Sequence, residues 1–159
     1  MTDIAKPPVN HATIVLERQY EASPARVFAA FADPAARTRW GVPSNDAELV
    51  YDETEFRVGG CDVGRCGPRG NLACRVETRY HDIIPDHRIV YTEVVSQGLA
   101  PLSFALVTVD FEADPGGCRL ILTDQVTSYG GEGMIGVHRA CIEATLENLR
   151  MEFKAAAVG

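Results

Sequence analysis

The chain has 159 residues, 46% of them hydrophobic and 23% charged, which is room for one ordinary globular domain of roughly 100–200 residues. A formal net charge of −7 and a pI near 5.0 repel phosphate backbones and anionic lipid heads, so nucleic acid is not expected as a partner. No segment approaches the roughly 20 apolar residues of a membrane span, and five irregularly spaced cysteines with no apolar leader predict reduced thiols in a cytoplasmic protein.

Residues 1–11 are polar and include a Pro pair, which predicts a flexible leader before one domain spanning 12–155. "ATIVLERQYEA" alternates Ile14, Leu16 and Tyr20 with polar residues and reads as a half-buried first strand. Ser23 then stands as an N-cap with Pro24 at the first helical position. Val27, Phe28, Phe31 and Ala32 follow at helical spacing until Pro34 interrupts them. Asp33 is placed to cap a second short helix through Arg37 to Trp40.

From Ala47 to Val126, runs of β-forming residues alternate with turn clusters: "AELVYDETEFRVGG", "CDVGRC", "GPRG", "NLACRVETRYHDII", "PDH", "RIVYTEVV", "SQGLAPL", "SFALVTVDFEA", "DPGG" and "CRLILTDQV". Hairpin-length turns leave no room for crossover helices, so these runs predict five further strands in an antiparallel meander, with "DPGG" the clearest hairpin. After the breakers of "TSYGGEG", a long amphipathic helix is expected over 131–153. Such a helix has to bury its stripe on one face of the sheet, which makes the fold class α+β.

At 100° per residue the helix turns Gly136, Arg139, Glu143, Glu147, Arg150 and Lys154 to solvent. Ile135, Ile142, Leu146 and Phe153 border the opposite side, and Val137, Ala144 and Met151 lie towards its other border. The centre of that inward arc holds Met134, His138, Cys141 and Thr145, with Leu149 beside them. Unpaired polar groups cost roughly 1–3 kcal/mol when buried in a solid core, so a polar centre points to a cavity between helix and sheet. The plainer alternative is that His138 and Thr145 hydrogen-bond the sheet or the helix backbone and that Cys141 is a small core residue.

The order of elements over residues 12–153 resembles the START-like or Bet v 1-like (SRPBCC) superfamily, the helix-grip fold. "SPARVFAAFADPAARTRW" is similar to the strand-to-helix entry of its heat-shock ATPase activator homologue-like group. "EFRVGG" resembles that group's acidic-x-Arg-x-Gly-Gly signature, "HDIIPDHRIVYT" its Pro-x-x-Arg stretch, and "DPGGCRLILT" its closing strand. Many relatives open the last helix with a Gly-Gly-Trp type string, whereas this chain has "GGEGMIG". The resemblance implies a curved antiparallel sheet of six to seven strands around a long C-terminal helix, with two short helices after the first strand. It also implies an internal, mainly apolar cavity.

A small lipophilic or aromatic molecule is the expected occupant, held by a carrier or sensor. The lining expected from the pattern is Trp40, Phe56, Val58, Met134, His138, Cys141 and Thr145, with Arg65 reaching inward to hold a ligand carboxylate or phenolate. Two other readings stay open. One is a co-chaperone-like interaction module acting through the acidic surface; the other is a cyclase- or hydrolase-like enzyme using His138 as general acid or base. A homodimer or a chaperone partner stays open with them.

Cys61, Cys66, Cys74 and His81 invite a zinc reading, but their spacings on strands are not those of close ligand pairs, so no metal is expected. The paired glycines 59–60, 116–117 and 130–131 do not open a helix after a parallel strand, which leaves no nucleotide site and no expected cofactor.

Overall fold

Capping chemistry starts both short helices where the sequence predicts them. The Ser23 hydroxyl accepts from the Arg26 N–H at the head of α1 (Pro24–Ala32), and the Asp33 carboxylate accepts from the Ala35 N–H at the head of α2 (Pro34–Trp40). The computed structural model describes residue 6 and residues 8–157, with side chains through residue 154; most of the expected leader lies outside the described residues. β1 (Val9–Tyr20) starts before the expected Ala12 because Val9, Asn10 and His11 already pair with β7.

The strands that follow are β2 (Ala47–Glu53), β3 (Cys61–Pro68), β4 (Cys74–Ile84), β5 (Arg88–Gln97), β6 (Ala100–Asp114) and β7 (Gly117–Tyr129), before α3 (Gly133–Ala157). All pairings are antiparallel, in the order β1-β7-β6-β5-β4-β3-β2, so the sheet has seven strands. β2 to β7 form the meander, and β1 closes against its last strand. At the tight β6–β7 turn Gly117 has φ +138°, and a Cβ there would lie 2.4 Å from the Tyr20 carbonyl oxygen, so only glycine fits.

Period-two alternation turns one face of every strand towards the helices, and the register sorts that face into rows. Leu16, Leu122, Val109 and Ile89 form one apolar row across β1, β7, β6 and β5. The next row reads Ile14, Asp124, Val107, Tyr91 and Tyr80; the one after it reads Ala12, Val126, Ala105, Glu93, Thr78 and Asp62. Asn10, Ser128, Ser103 and Val95 follow. The inner face therefore runs from apolar at one end to polar at the other.

The helices cover the apolar end. Phe31 packs against Trp40 and Phe111, and Phe28 against Phe111 and Phe56, all at edge or tilted angles. Leu120, Val109, Val27, Leu146 and Leu149 are completely or almost completely enclosed there. The acidic-x-Arg-x-Gly-Gly stretch is a structural loop: the Glu55 N–H donates to Asp62 Oδ1 and the Gly59 N–H to the Tyr80 carbonyl, while Glu55 and Arg57 pair at the surface.

Candidate functional site

α3 is held to the rest of the molecule unevenly. Along its C-terminal half Tyr20 Oη donates to the Leu146 carbonyl at 2.8 Å, Asn148 Nδ2 to the Val42 carbonyl at 2.7 Å, and Arg150 to the Gln19 carbonyl at 2.8 Å, while Arg39 pairs with Glu152. Leu146, Leu149 and Phe153 seal that half into the core. Along the N-terminal half Met134, Val137, Ala140 and Cys141 are exposed, and Ile135, His138 and Ile142 are half-buried. Among the described residues the only side-chain bond from that half to the sheet is His138 Nε2 to Asp124 Oδ2, at 2.7 Å.

The helix thus stands off the polar rows. Tyr91, Glu93, Val95 and Val76 point at the layer interior yet solvent still reaches them, whereas their row neighbours Ala105 and Val107 are covered. The result is a groove between helix and sheet, bordered by Glu93 and Tyr91 of β5 on one side and by Asp124 and His138 on the other, with the small side chains of β6 covered between them. Its character is mixed rather than mainly apolar.

Electrostatics in the groove follow from burial and from two neighbouring acids. Enclosure by protein, and secondarily the charge of Asp124, push the Glu93 carboxyl above its ordinary range, with His138 opposing. Hydrogen bonding to Asp124 holds the His138 imidazole above its ordinary value against the opposing effect of burial. A carboxylate only accepts, so His138 Nε2 carries the proton in this contact. Asp124 is 2% exposed and its second oxygen, Oδ1, has no partner among the described residues, a deficit worth about 1–3 kcal/mol. No protein hydrogen bond reaches the Glu93 carboxyl among the described residues.

A second buried polar cluster lies where α2 meets β2, β3 and β4. Arg37 Nη1 donates to Asp62 Oδ2 at 2.6 Å and to the Tyr51 and Tyr80 hydroxyls at 3.1 Å each, and the Tyr80 hydroxyl donates to the same Asp62 oxygen. The guanidinium also lies over the Tyr51 ring at 4.8 Å. Arg37 Nε and Nη2 have no acceptor among the described residues.

The expected lining is only partly assembled. His138 and Thr145 are half-buried on the inward side of α3, although Thr145 Oγ1 returns its proton to the Ile142 carbonyl of its own helix. Phe56 packs on Phe28 and Tyr80 beside the Arg37 cluster. Trp40 is a core residue, its indole N–H donating to the Ala30 carbonyl. Val58 is 56% exposed in the surface loop, and Met134 and Cys141 stand on the open part of α3.

Arg65 does not reach inward. Register puts Asp62, Gly64 and Cys66 on the inner face of β3, so Cys61, Val63 and Arg65 face out, where Arg65 pairs with Asp52 at 3.0 Å. The same alternation splits the cysteines between faces: Cys66 and Cys74 are paired opposite each other inside, while Cys61 lies outside against Glu77. Among the described residues no group of three or more His, Cys, Asp and Glu side chains is placed to hold a metal.

Periodicity could have found the residues that the sequence reading missed. Asp124 stands in phase with Leu120, Leu122 and Val126 in "CRLILTDQV", and Glu93 with Ile89, Tyr91 and Val95 in "RIVYTEVV". A carboxylate on the buried phase of a strand is the signal.

A depression of about 520 Å³ lies at the opposite end, beside β1 and the β6–β7 turn. Its walls include Gln19, Asp114 and Arg150, whose polar groups already bond to one another or to nearby backbone.

Solved structures place the fold among known proteins. A protein from Rhizobium leguminosarum is 33% identical and superposes with a TM-score of 0.83, covering 92% of this chain and 97% of its own. One from Rhizobium loti is 36% identical, with a TM-score of 0.71 and coverage of 89% and 99%. The AHSA1 protein from Silicibacter pomeroyi shares the fold at 21% identity and a TM-score of 0.73, with coverage of 91% and 99%. No match is found among curated proteins. The sequence profile described as "Activator of Hsp90 ATPase homolog 1-like protein" matches residues 21–154, and the chain belongs to that family.

Proposed function

We propose that the groove between the N-terminal half of α3 and the sheet binds a small molecule with an apolar or aromatic body, so that the protein acts as a carrier or sensor. One observation carries this reading. The inward-facing side chains of β4 and β5 stay open to solvent at one end of the sheet, while the same face is sealed by α1, α2 and the rest of α3 at the other. Leaving Tyr91, Val95 and Ile142 half-covered forgoes apolar burial worth about 25 cal/mol per Å², which an occupant would recover.

A library of small apolar and aromatic molecules tests the reading by thermal unfolding. A ligand at a hundred times its Kd should stabilise the protein by about 2.7 kcal/mol. Backbone amide shifts should localise it to Ala105, Val107 and Glu93. A library without hits, together with a groove that fails to take up any small molecule retained on native mass spectrometry, would contradict it.

The His138–Asp124 contact favours a second reading, an enzyme of the cyclase or hydrolase kind in which Asp124 orients the imidazole as general acid or base. His138→Gln should then abolish turnover with the fold intact. Family membership supports a third, a co-chaperone-like module, for which stimulation of a heat-shock ATPase by the purified protein is the test.

A further inference from the structure

We propose that the polar end of the molecule taken by the groove is a protonated amine, received by Asp124 Oδ1 and the Glu93 carboxyl on either side of the Ala105–Val107 floor. The inference rests on the groove being a ligand site and names the chemistry of its ligand.

Three features of the groove lead there. First, a buried acceptor at this end of the sheet is unserved: among the described residues Asp124 Oδ1 is enclosed with nothing to accept from, and no protein hydrogen bond reaches the neighbouring Glu93 carboxyl. A primary ammonium carries three N–H donors, one for Asp124 Oδ1 and others to spare for acceptors nearby.

Second, with Glu93 ionised, one cation brings the charges of the groove into balance. Asp124 and Glu93 face the groove, and His138 offsets one of them. Adding one positive charge leaves an ensemble of two carboxylates, an imidazolium and an ammonium that is neutral as a whole, which a partly desolvated site requires. A carboxylate ligand would add a third negative charge to the same space. The net charge of −7 also draws cations towards the molecule from a distance.

Third, the anion holder expected from the sequence is absent from the groove: Arg65 lies outside with Asp52. Arg37 is the competing anchor, because its Nε and Nη2 lack acceptors among the described residues. Its charge is already balanced by Asp62 at 2.6 Å, and its fork is occupied on one side by two tyrosines, so it attracts a further anion weakly. Tyr91 next to Glu93 supplies an aromatic wall for the body of the ligand.

Phenethylamine, phenethyl alcohol and phenylacetate share one body and differ in the polar end, and NMR titration of the full chain at neutral pH reads all three. The amine should bind at least about tenfold more tightly than either of the others, with shifts centred on Ala105, Val107 and Glu93. Asp124→Asn and Glu93→Gln should each erase most of the ratio between amine and alcohol affinities. Glu93→Gln keeps the test open should Asp124→Asn fail to fold, because Glu93 makes no side-chain hydrogen bond or ion pair among the described residues.

Equal binding of amine and alcohol, or tighter binding of phenylacetate that is lost in Arg37→Gln, overturns the amine inference and leaves the groove as a ligand site. If none of the three moves these amides while a neutral library molecule does, the inference again falls alone. If no molecule of any kind moves them, both fall.

Discussion

His138 Nε2 lies 2.7 Å from Asp124 Oδ2, and this contact joins the loosely packed half of α3 to the floor of the sheet. It makes the two residues a latch as well as part of a site, because the helix ahead of Ile142 has no other side-chain bond to the sheet among the described residues.

The latch is pH-dependent with a definite sign. Hydrogen bonding to Asp124 raises the folded-state value of His138 above 6.5; burial opposes this and the charge of Glu93 assists it. A raised folded value means that the stabilisation is fully present below the unfolded value of about 6.5 and is lost as pH rises through the folded one. NMR titration of the imidazole should place its midpoint above 6.5, and Asp124→Asn should lower it. A midpoint at or below 6.5 in the intact wild type would contradict the contact.

Uneven packing of α3 should appear in its mutational profile. Leu149 has no exposed surface, so Leu149→Ala should cost about 2–5 kcal/mol in urea unfolding. Val137 is 59% exposed on the same helix, so Val137→Ser should stay within about 0.5 kcal/mol of wild type. Comparable costs at both positions would mean that the helix is clamped along its whole length.

Asp62 is 1% exposed and is the counter-charge of Arg37. Asp62→Asn should therefore destabilise by about 3–5 kcal/mol, since it leaves a guanidinium enclosed without its partner. Removing both charges with Arg37→Met and Asp62→Leu should recover much of that loss. Chemical denaturation of the two variants side by side measures the difference.

Cys66 sits inside opposite Cys74, and burial, with smaller contributions from Cys74 and Glu93, pushes its thiol up to about 11. Few of its molecules are thiolate near neutral pH, so iodoacetamide should modify Cys66 at least about tenfold more slowly than an unhindered free thiol. Peptide mass spectrometry over time gives the rate. Fast, stoichiometric labelling of Cys66 in the folded protein would show that its side chain is not enclosed.

Local rules carried most of the architecture. Ser23-Pro24 and Asp33-Pro34 specify two capped helices, alternation specifies the strands, and short turns between them specify an antiparallel meander, because each of these depends on neighbours in the chain. The helical period likewise marked Leu146, Leu149 and Phe153 as inward, and all three are buried. Met134 and Cys141 belong to the same arc and keep exposed surface, since periodicity says which way a side chain points and not how far away the facing layer is; Cys141 still lies near enough to Glu93 for that charge to act on its thiol.

Face and partner needed the folded chain. Cys61, Val63 and Arg65 share a face whichever way β3 is turned; pairing with β4, and Asp62 meeting Arg37 from α2, decide that this face is the outer one. Asp124 and His138 are fourteen residues apart, on a strand and a helix, and their contact depends on how α3 lies across β7. The sequence by itself determined the elements, their order and the two-layer α+β fold, because those follow from short-range stereochemistry and burial. Only the tertiary structure decided that the first half of the last helix packs more loosely than the second and that Glu93, Asp124 and His138 meet beneath it, because both depend on contacts between residues far apart in the chain.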